Sequence, residues 1–154
     1  MKGCIIKNNK ITIKEVFHNI KEAEKFNWLI TNIECYPRSQ KIQKIFDGEY
    51  CWLTGKELLE IMNQEEFQWI WGIFSAFQKE IEQQVVLKYC LPYADGYVGF
   101  WENPITIQHP LASSEIVAWD GSLLLAISKQ DEIITALMEQ WKEVQDLEEY
   151  NRKV

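Results

Sequence analysis

The sequence predicts an α+β fold, a single domain over residues 1–154 in which about three to four helices pack against a mostly antiparallel or mixed β-sheet. Three observations predict it. The run Phe67 to Ala76 (FQWIWGIFSA) is apolar around every direction a helix would present. Two strand-like runs flank Asp120-Gly121, the residue pair preferred in tight hairpin turns because both central residues take positive φ. Helix-spaced apolar stripes alternate with short apolar runs along the rest of the chain. A chain of 154 residues with 47% hydrophobic and 25% charged residues can bury one sizeable core without a disulfide or metal staple.

Element by element, GCIIK reads as an opening strand. Ile13, Val16, Phe17 and Ile20 then give the i, i+3, i+4, i+7 stripe of one helix through ITIKEVFHNIKEAEKF. NWLITNIECY returns as strand, and Pro37 to Glu49 is a mixed segment with a turn at Asp47-Gly48. In YCWLTGKELLEIMNQ a brief strand runs into Thr54, and Glu57 three positions on completes a capping box. Leu58, Leu59, Ile61 and Met62 supply the buried side of that helix.

Phe67 to Ala76 is too short to span a membrane and has no polar side to give to solvent, so it reads as a central strand buried on both faces. Gly72 within it marks a bulge or a close approach. QKEIEQQVVLKY is a short helix ended by Pro92 and Asp95-Gly96, YVGFW is a further strand, and ITIQH, bracketed by Pro104 and Pro110, is an edge strand. After the Asp120-Gly121 hairpin, SKQDEIITALMEQWKEVQDLEEY reads as one long helix with Ser128 as N-cap and Ile133, Ile134, Leu137, Met138, Trp141 and Val144 on its buried face.

Charge narrows the function. Residues 1–77 carry ten basic and ten acidic side chains, whereas residues 78–154 carry six and thirteen, so the net charge of −7 lies in the second half. That half repels phosphate backbones, and Arg38, Lys41 and Lys44 form only a modest basic group with no stacking aromatics beside it, so nucleic acid is not an expected partner. The amino terminus has no signal-peptide core, and Cys4, Cys35, Cys51 and Cys90 form no C-x-x-C pair; a cytoplasmic chain with reduced thiols is expected, with no membrane partner, cofactor or metal. No dinucleotide or phosphate-binding glycine motif, zinc-helix motif or nucleophile elbow occurs, so no catalytic residue is assigned. Asp95, Glu102, Glu115 and Asp120 are the carboxylates expected along one rim of the sheet.

Aromatic residues make up 13% of the chain, seven of them tryptophan. Most are expected in the core, but Tyr93, Tyr97 and Trp101, beside Asp95 and Glu102, are expected to stay partly exposed. The expected contact surface joins this stretch to the outer face of the last helix, where Glu139 and Glu143 lie. The stretches EFQWIWGIFSAF, LPYADGYVGFWENP and SKQDEIITALMEQWKEVQDLEEYN resemble the small acidic cytosolic α+β proteins of low-GC Gram-positive bacteria, some of which act as immunity proteins. That resemblance implies a non-enzymatic interaction module whose acidic face complements a basic protein. The alternative is a small hydrolase or small-molecule binder using a cleft near His109, with Cys51 or Cys90 as nucleophile and Asp120 as orienting carboxylate.

Overall fold

A computed structural model describes all of residues 1–154. Seven strands, Lys2–Ile6 (β1), Phe26–Tyr36 (β2), Tyr50–Thr54 (β3), Gln68–Gln78 (β4), Ser114–Trp119 (β5), Leu123–Ser128 (β6) and Gln145–Asp146 (β7), form one sheet in the order β3-β2-β4-β5-β6-β1-β7. Every neighbouring pair is antiparallel. Six α-helices accompany it: Ile13–His18 (α1), Gln40–Ile45 (α2), Gly55–Gln64 (α3), Gln83–Val86 (α4), Asp131–Gln140 (α5) and Leu147–Lys153 (α6). Two 3₁₀ turns lie at Ala23–Lys25 and Gly99–Trp101. The α+β class is as expected, with more helices than the sequence suggested because several are single turns set by local caps. No helix is long and apolar enough to cross a membrane.

The alternation of side chains along each strand gives the sheet two covered faces. Cys4, Ile6, Trp28, Ile30, Phe74, Ile116, Ala118 and Ala126 point to the first, where α1, α3 and α5 lay down Val16, Phe17, Leu58, Ile61, Ile134 and Leu137. Ile5, Ile73, Val117, Leu125 and Ile127 point to the second, covered by Ala94, Phe100, Ile105 and Leu147. Leu29 and Phe77 continue that second face toward Val86 and Ala112. Strand β4 lies between β2 and β5 and is buried from Gly72 to Phe77, which accounts for its apolar run. A Cβ on Gly72 would stand 2.9 Å from the Trp69 ring, so the glycine serves a close approach. The bulge lies opposite, in β2, where Asn32 takes φ 51° between Thr31, paired with Ile73, and Glu34, paired with Trp71.

Two local signals act as expected. Thr54 Oγ1 accepts from the Glu57 N–H (3.1 Å) while Glu57 Oε1 accepts from the Thr54 N–H (2.9 Å), closing the capping box of α3. Asp120 and Gly121 take φ 50° and 66°, and the Ser122 N–H donates to the Trp119 carbonyl at 3.0 Å.

Five expectations are corrected. The first helix stops at His18, and the chain reaches β2 through a 3₁₀ turn. YVGFW forms a turn with one 3₁₀ segment, and ITIQH is irregular; both have strand-like composition, but neither has a neighbouring strand to supply ladder hydrogen bonds. The last helix is two helices. Helix α5 ends at Gln140, Val144 is buried in the connection, Gln145 and Asp146 pair with β1 as β7, and α6 follows. Ser128 is a buried strand residue whose hydroxyl accepts from the Gln130 N–H at 2.9 Å; Gln130 is the N-cap of α5.

Candidate interaction surface

Between α4 and β5 the chain crosses the second face of the sheet as a long strap. Pro92, Pro104 and Pro110 remove ladder donors, and Gly96 turns the chain at φ 88°, so no strand forms there. From residue 90 to residue 112 the main chain makes backbone hydrogen bonds only within itself. Side chains attach it instead. Asn32 Oδ1, presented by the left-handed bulge of β2, accepts from the N–H groups of Ala94 (2.7 Å) and Asp95 (2.9 Å). The Gln108 side chain pairs with the Tyr93 main chain in both directions, at 2.7 and 3.1 Å, and the Gln108 N–H donates to Glu115 Oε2 at 3.2 Å. Asn151 of α6 donates to the Phe100 carbonyl at 3.0 Å.

Aromatic rings run across this face in contact. Tyr93 meets Tyr97 (centroids 5.4 Å apart), Tyr97 meets Phe100 (4.7 Å), and Phe100 meets Trp119 (5.9 Å). Trp119 stands edge-to-face against both Trp71 (5.0 Å) and Trp101 (5.1 Å), and Trp101 meets Tyr150, whose ring carries the Lys7 ammonium 4.5 Å above it. Phe100 is the one fully buried ring; Trp71, Tyr97, Trp101, Trp119 and Tyr150 are half-buried, and Tyr93 is 49% exposed. Val98 at 68% exposure stands proud of the strap. Asp95, Glu102 and Asp120 are exposed at the edge of this patch.

Tyr93, Asp95, Tyr97, Trp101 and Glu102 are therefore brought together. Glu139 and Glu143 are not: Glu139 lies on α5, whose buried side chains belong to the first face, so the sheet stands between it and the strap. Glu143 lies after α5 and accepts from Asn8 Nδ2 at 2.8 Å, which holds its carboxyl below the usual range. The sequence reading missed Trp71, Trp119 and Tyr150. Trp119 adjoins the predicted hairpin turn, where a large ring is seldom covered on both sides, and that position was the available signal.

Glu115 also departs from expectation. It is fully buried, on the second face, and burial pushes its carboxyl up to about 8. Burial favours its protonated form at neutral pH, so it adds little charge to the rim. Its Oε1 has no hydrogen-bond partner, nor do the hydroxyls of Ser75, its cross-strand neighbour, and Thr31.

His109 is 1% exposed. Its Nε2–H donates to the Val86 carbonyl at 2.9 Å and its Nδ1 accepts from the Leu111 N–H at 3.2 Å, an arrangement that requires the neutral ring, and burial lowers its pKa. With both nitrogens engaged, it is a structural histidine that anchors the end of the strap. Neither imidazole is hydrogen-bonded to a thiol; His18 faces Asn63. Burial pushes the thiols of Cys4 and Cys35 up to about 12 and that of Cys51 to about 11, while Cys90 is exposed. Titration of the native protein with a chromogenic disulfide at pH 8 is expected to modify Cys90 rapidly, the half-buried Cys35 more slowly, and the buried Cys4 and Cys51 only on unfolding. Fast reaction of Cys4 or Cys51 would contradict this packing. A cleft of about 260 Å³ between Asn8, Thr12, Trp69 and Ser122 carries no ionisable side chain, so it offers no acid–base pair.

The model of the family described as "Protein of unknown function (DUF2691)" matches residues 3–90, more than half of the chain, from β1 through α4. No curated protein and no solved structure matches.

Proposed function

Since the chain belongs to the DUF2691 family, whose function is unknown, we propose from its surface chemistry that it is a non-enzymatic interaction module that binds a basic protein through the strap, in the manner of an immunity protein. The observation that carries this reading is the aromatic chain from Tyr93 to Tyr150, partly open to solvent at every ring but Phe100, with carboxylates at its edge. Rings left partly open cost solvation that a monomer gains nothing from, and Tyr and Trp are the side chains that most often anchor protein interfaces. Asp95, Glu102 and Asp120, exposed at the edge of the patch, draw a basic partner toward it. The satisfied His109 ring weighs against the hydrolase alternative.

The test begins with a photocrosslinking residue at Val98, compared with one at Glu60 on α3 on the opposite side, to identify what touches the strap in the cell of origin. With that partner purified, Tyr93→Ala and Trp101→Ala should each weaken binding about 30-fold, the equivalent of about 2 kcal/mol. Glu102→Lys should slow association more at low salt than at high salt, while Glu139→Lys, behind the sheet, should have a much smaller effect. A partner with an acidic surface, or affinity indifferent to Tyr93, Trp101 and Glu102, would overturn the proposal.

A further inference from the structure

The two edges of the sheet are managed differently. At one end β7 is two residues long and turns at once into α6, so it presents little free ladder. At the other end β3 runs five residues, Tyr50 to Thr54, pairs only with β2, and holds no proline, lysine or glycine. Natural sheets usually guard such edges with those residues, with bulges or with short strands.

The direction of the free groups can be read from the cap of α3. The Thr54 N–H donates to Glu57 Oε1 and so points away from β2. Alternation along an antiparallel strand then points the N–H and C=O of Trp52 and Tyr50 the same way, outward from the sheet. Trp52 is half-buried on the second face, with its ring 5.7 Å from that of Phe77, and Tyr50 beside it is exposed. This is an apolar edge with its hydrogen-bonding groups free.

We propose that β3 is the dimerisation edge of this protein, pairing antiparallel with β3 of a second copy across a two-fold axis at Trp52 to continue the sheet from one chain into the other. In that register Trp52 exchanges main-chain hydrogen bonds with its own counterpart, while Thr54 adds none, because its carbonyl accepts the first intrahelical bond of α3. The Thr54 N–H remains with its cap. An isologous contact of this kind is self-complementary. It also places Glu49 of each chain beside the first turn of α3 of the other, where Lys56 lies, so opposite charges meet on both sides of the axis. The two tryptophan rings come together on the second face and cover one another's open edges.

Net charge does not forbid this. Residues 1–77, which supply β3 and its surroundings, are balanced at ten basic and ten acidic side chains. The acidic helix α5 packs against β1 and β6, and β6 lies four strands from β3, about 19 Å at the usual spacing, beyond the Debye length of about 8 Å at physiological salt. The ends of the strap reach β2 and pack near Trp52, but the aromatic patch proposed for a basic partner gathers on Trp71, Trp101, Trp119 and Tyr150, toward β5 and α6, so the two surfaces are tested by different substitutions.

Light scattering and sedimentation on the full chain test the inference. The wild type at high micromolar concentration should run at twice the 18.3 kDa chain mass. Glu49→Lys and Lys56→Glu should each weaken association at least tenfold, and the double exchange should recover most of that loss. Trp52→Lys, which sets like charges on the axis, should give monomer while keeping the circular dichroism of the parent. A monomeric wild type, a dimer indifferent to Trp52→Lys, or a charge exchange that fails to rescue would each overturn the proposal.

Discussion

Replacing Glu115 with glutamine is expected to stabilise the protein at neutral and alkaline pH and to leave it almost unchanged at pH 4. In the unfolded chain this carboxyl ionises near 4.5, whereas in the folded protein burial holds it protonated up to about 8. The folded state therefore binds the proton more tightly. Its advantage is complete below pH 4.5, declines as pH rises and is lost once pH passes about 8. At 1.36 kcal/mol per pH unit the interval amounts to roughly 5 kcal/mol. Part of that is recovered when the strap, attached through side chains alone, admits water to the carboxylate, so a net gain of about 2–4 kcal/mol for glutamine is expected. In a chain of this size that is about 5–12 °C in the unfolding midpoint. Glutamine keeps the shape and the acceptor for the Gln108 N–H but cannot ionise. Calorimetry from pH 4 to pH 9 checks the result: the two midpoint curves should coincide at the acid end and diverge upward, and parallel curves would show that Glu115 is not the buried acid described here.

The same residue shows where legibility in the sequence ends. A glutamate at the start of EIVAW reads as a rim carboxylate, because nothing local reveals that a segment ending seven residues earlier folds back over it. Signals that close within a few residues are legible. The capping box at Thr54 and Glu57 and the positive-φ pair Asp120-Gly121 involve only neighbouring backbone, and both form as read. The interior place of β4 was legible because a run with no polar side admits few other environments.

The C-terminal segment failed for the opposite reason. Trp141 and Val144 keep the helical spacing that begins at Ile133, yet Gln145 and Asp146 are drawn onto β1, and tertiary pairing overrides the periodicity. One clue was present. Asp146 followed three positions on by Glu149 is a helix-start pattern, and its Oδ1 does accept the Glu149 N–H at 2.9 Å to open α6. The strap was half legible. Its aromatic and acidic residues stood out by composition, but their attachment depends on Asn32, some sixty residues earlier, adopting a left-handed bulge.

Gly55→Ala should destabilise the fold by about 3 kcal/mol or more, although alanine in place of glycine within a helix ordinarily gains roughly 0.5–1 kcal/mol. Gly55 opens α3 and is buried against the 3₁₀ turn at Ala23–Lys25. A Cβ there would overlap the Ala23 carbonyl oxygen and stand 2.6 Å from Glu24 Cα and 2.8 Å from Glu24 C, all main-chain atoms rather than a yielding side chain. The turn cannot step aside cheaply. The Ala23 carbonyl accepts from the buried Trp28 indole at 3.0 Å, the Lys25 N–H closes on the Glu22 carbonyl at 2.9 Å, and Trp28 packs edge-to-face on Phe17 in the first-face core. Relief requires α3 to lift, which loosens Leu58 and Ile61, or the turn to shift, which strands the indole donor. Either route lowers the midpoint by roughly 6–12 °C in a chain of this size. Glu60→Ala, on the exposed side of the same helix, should stay within about 0.5 kcal/mol of wild type and serves as the control for helix propensity. Thermal denaturation of both variants decides the matter: a Gly55→Ala protein as stable as its parent would mean that the close approach of α3 to the turn is not what holds glycine at this position.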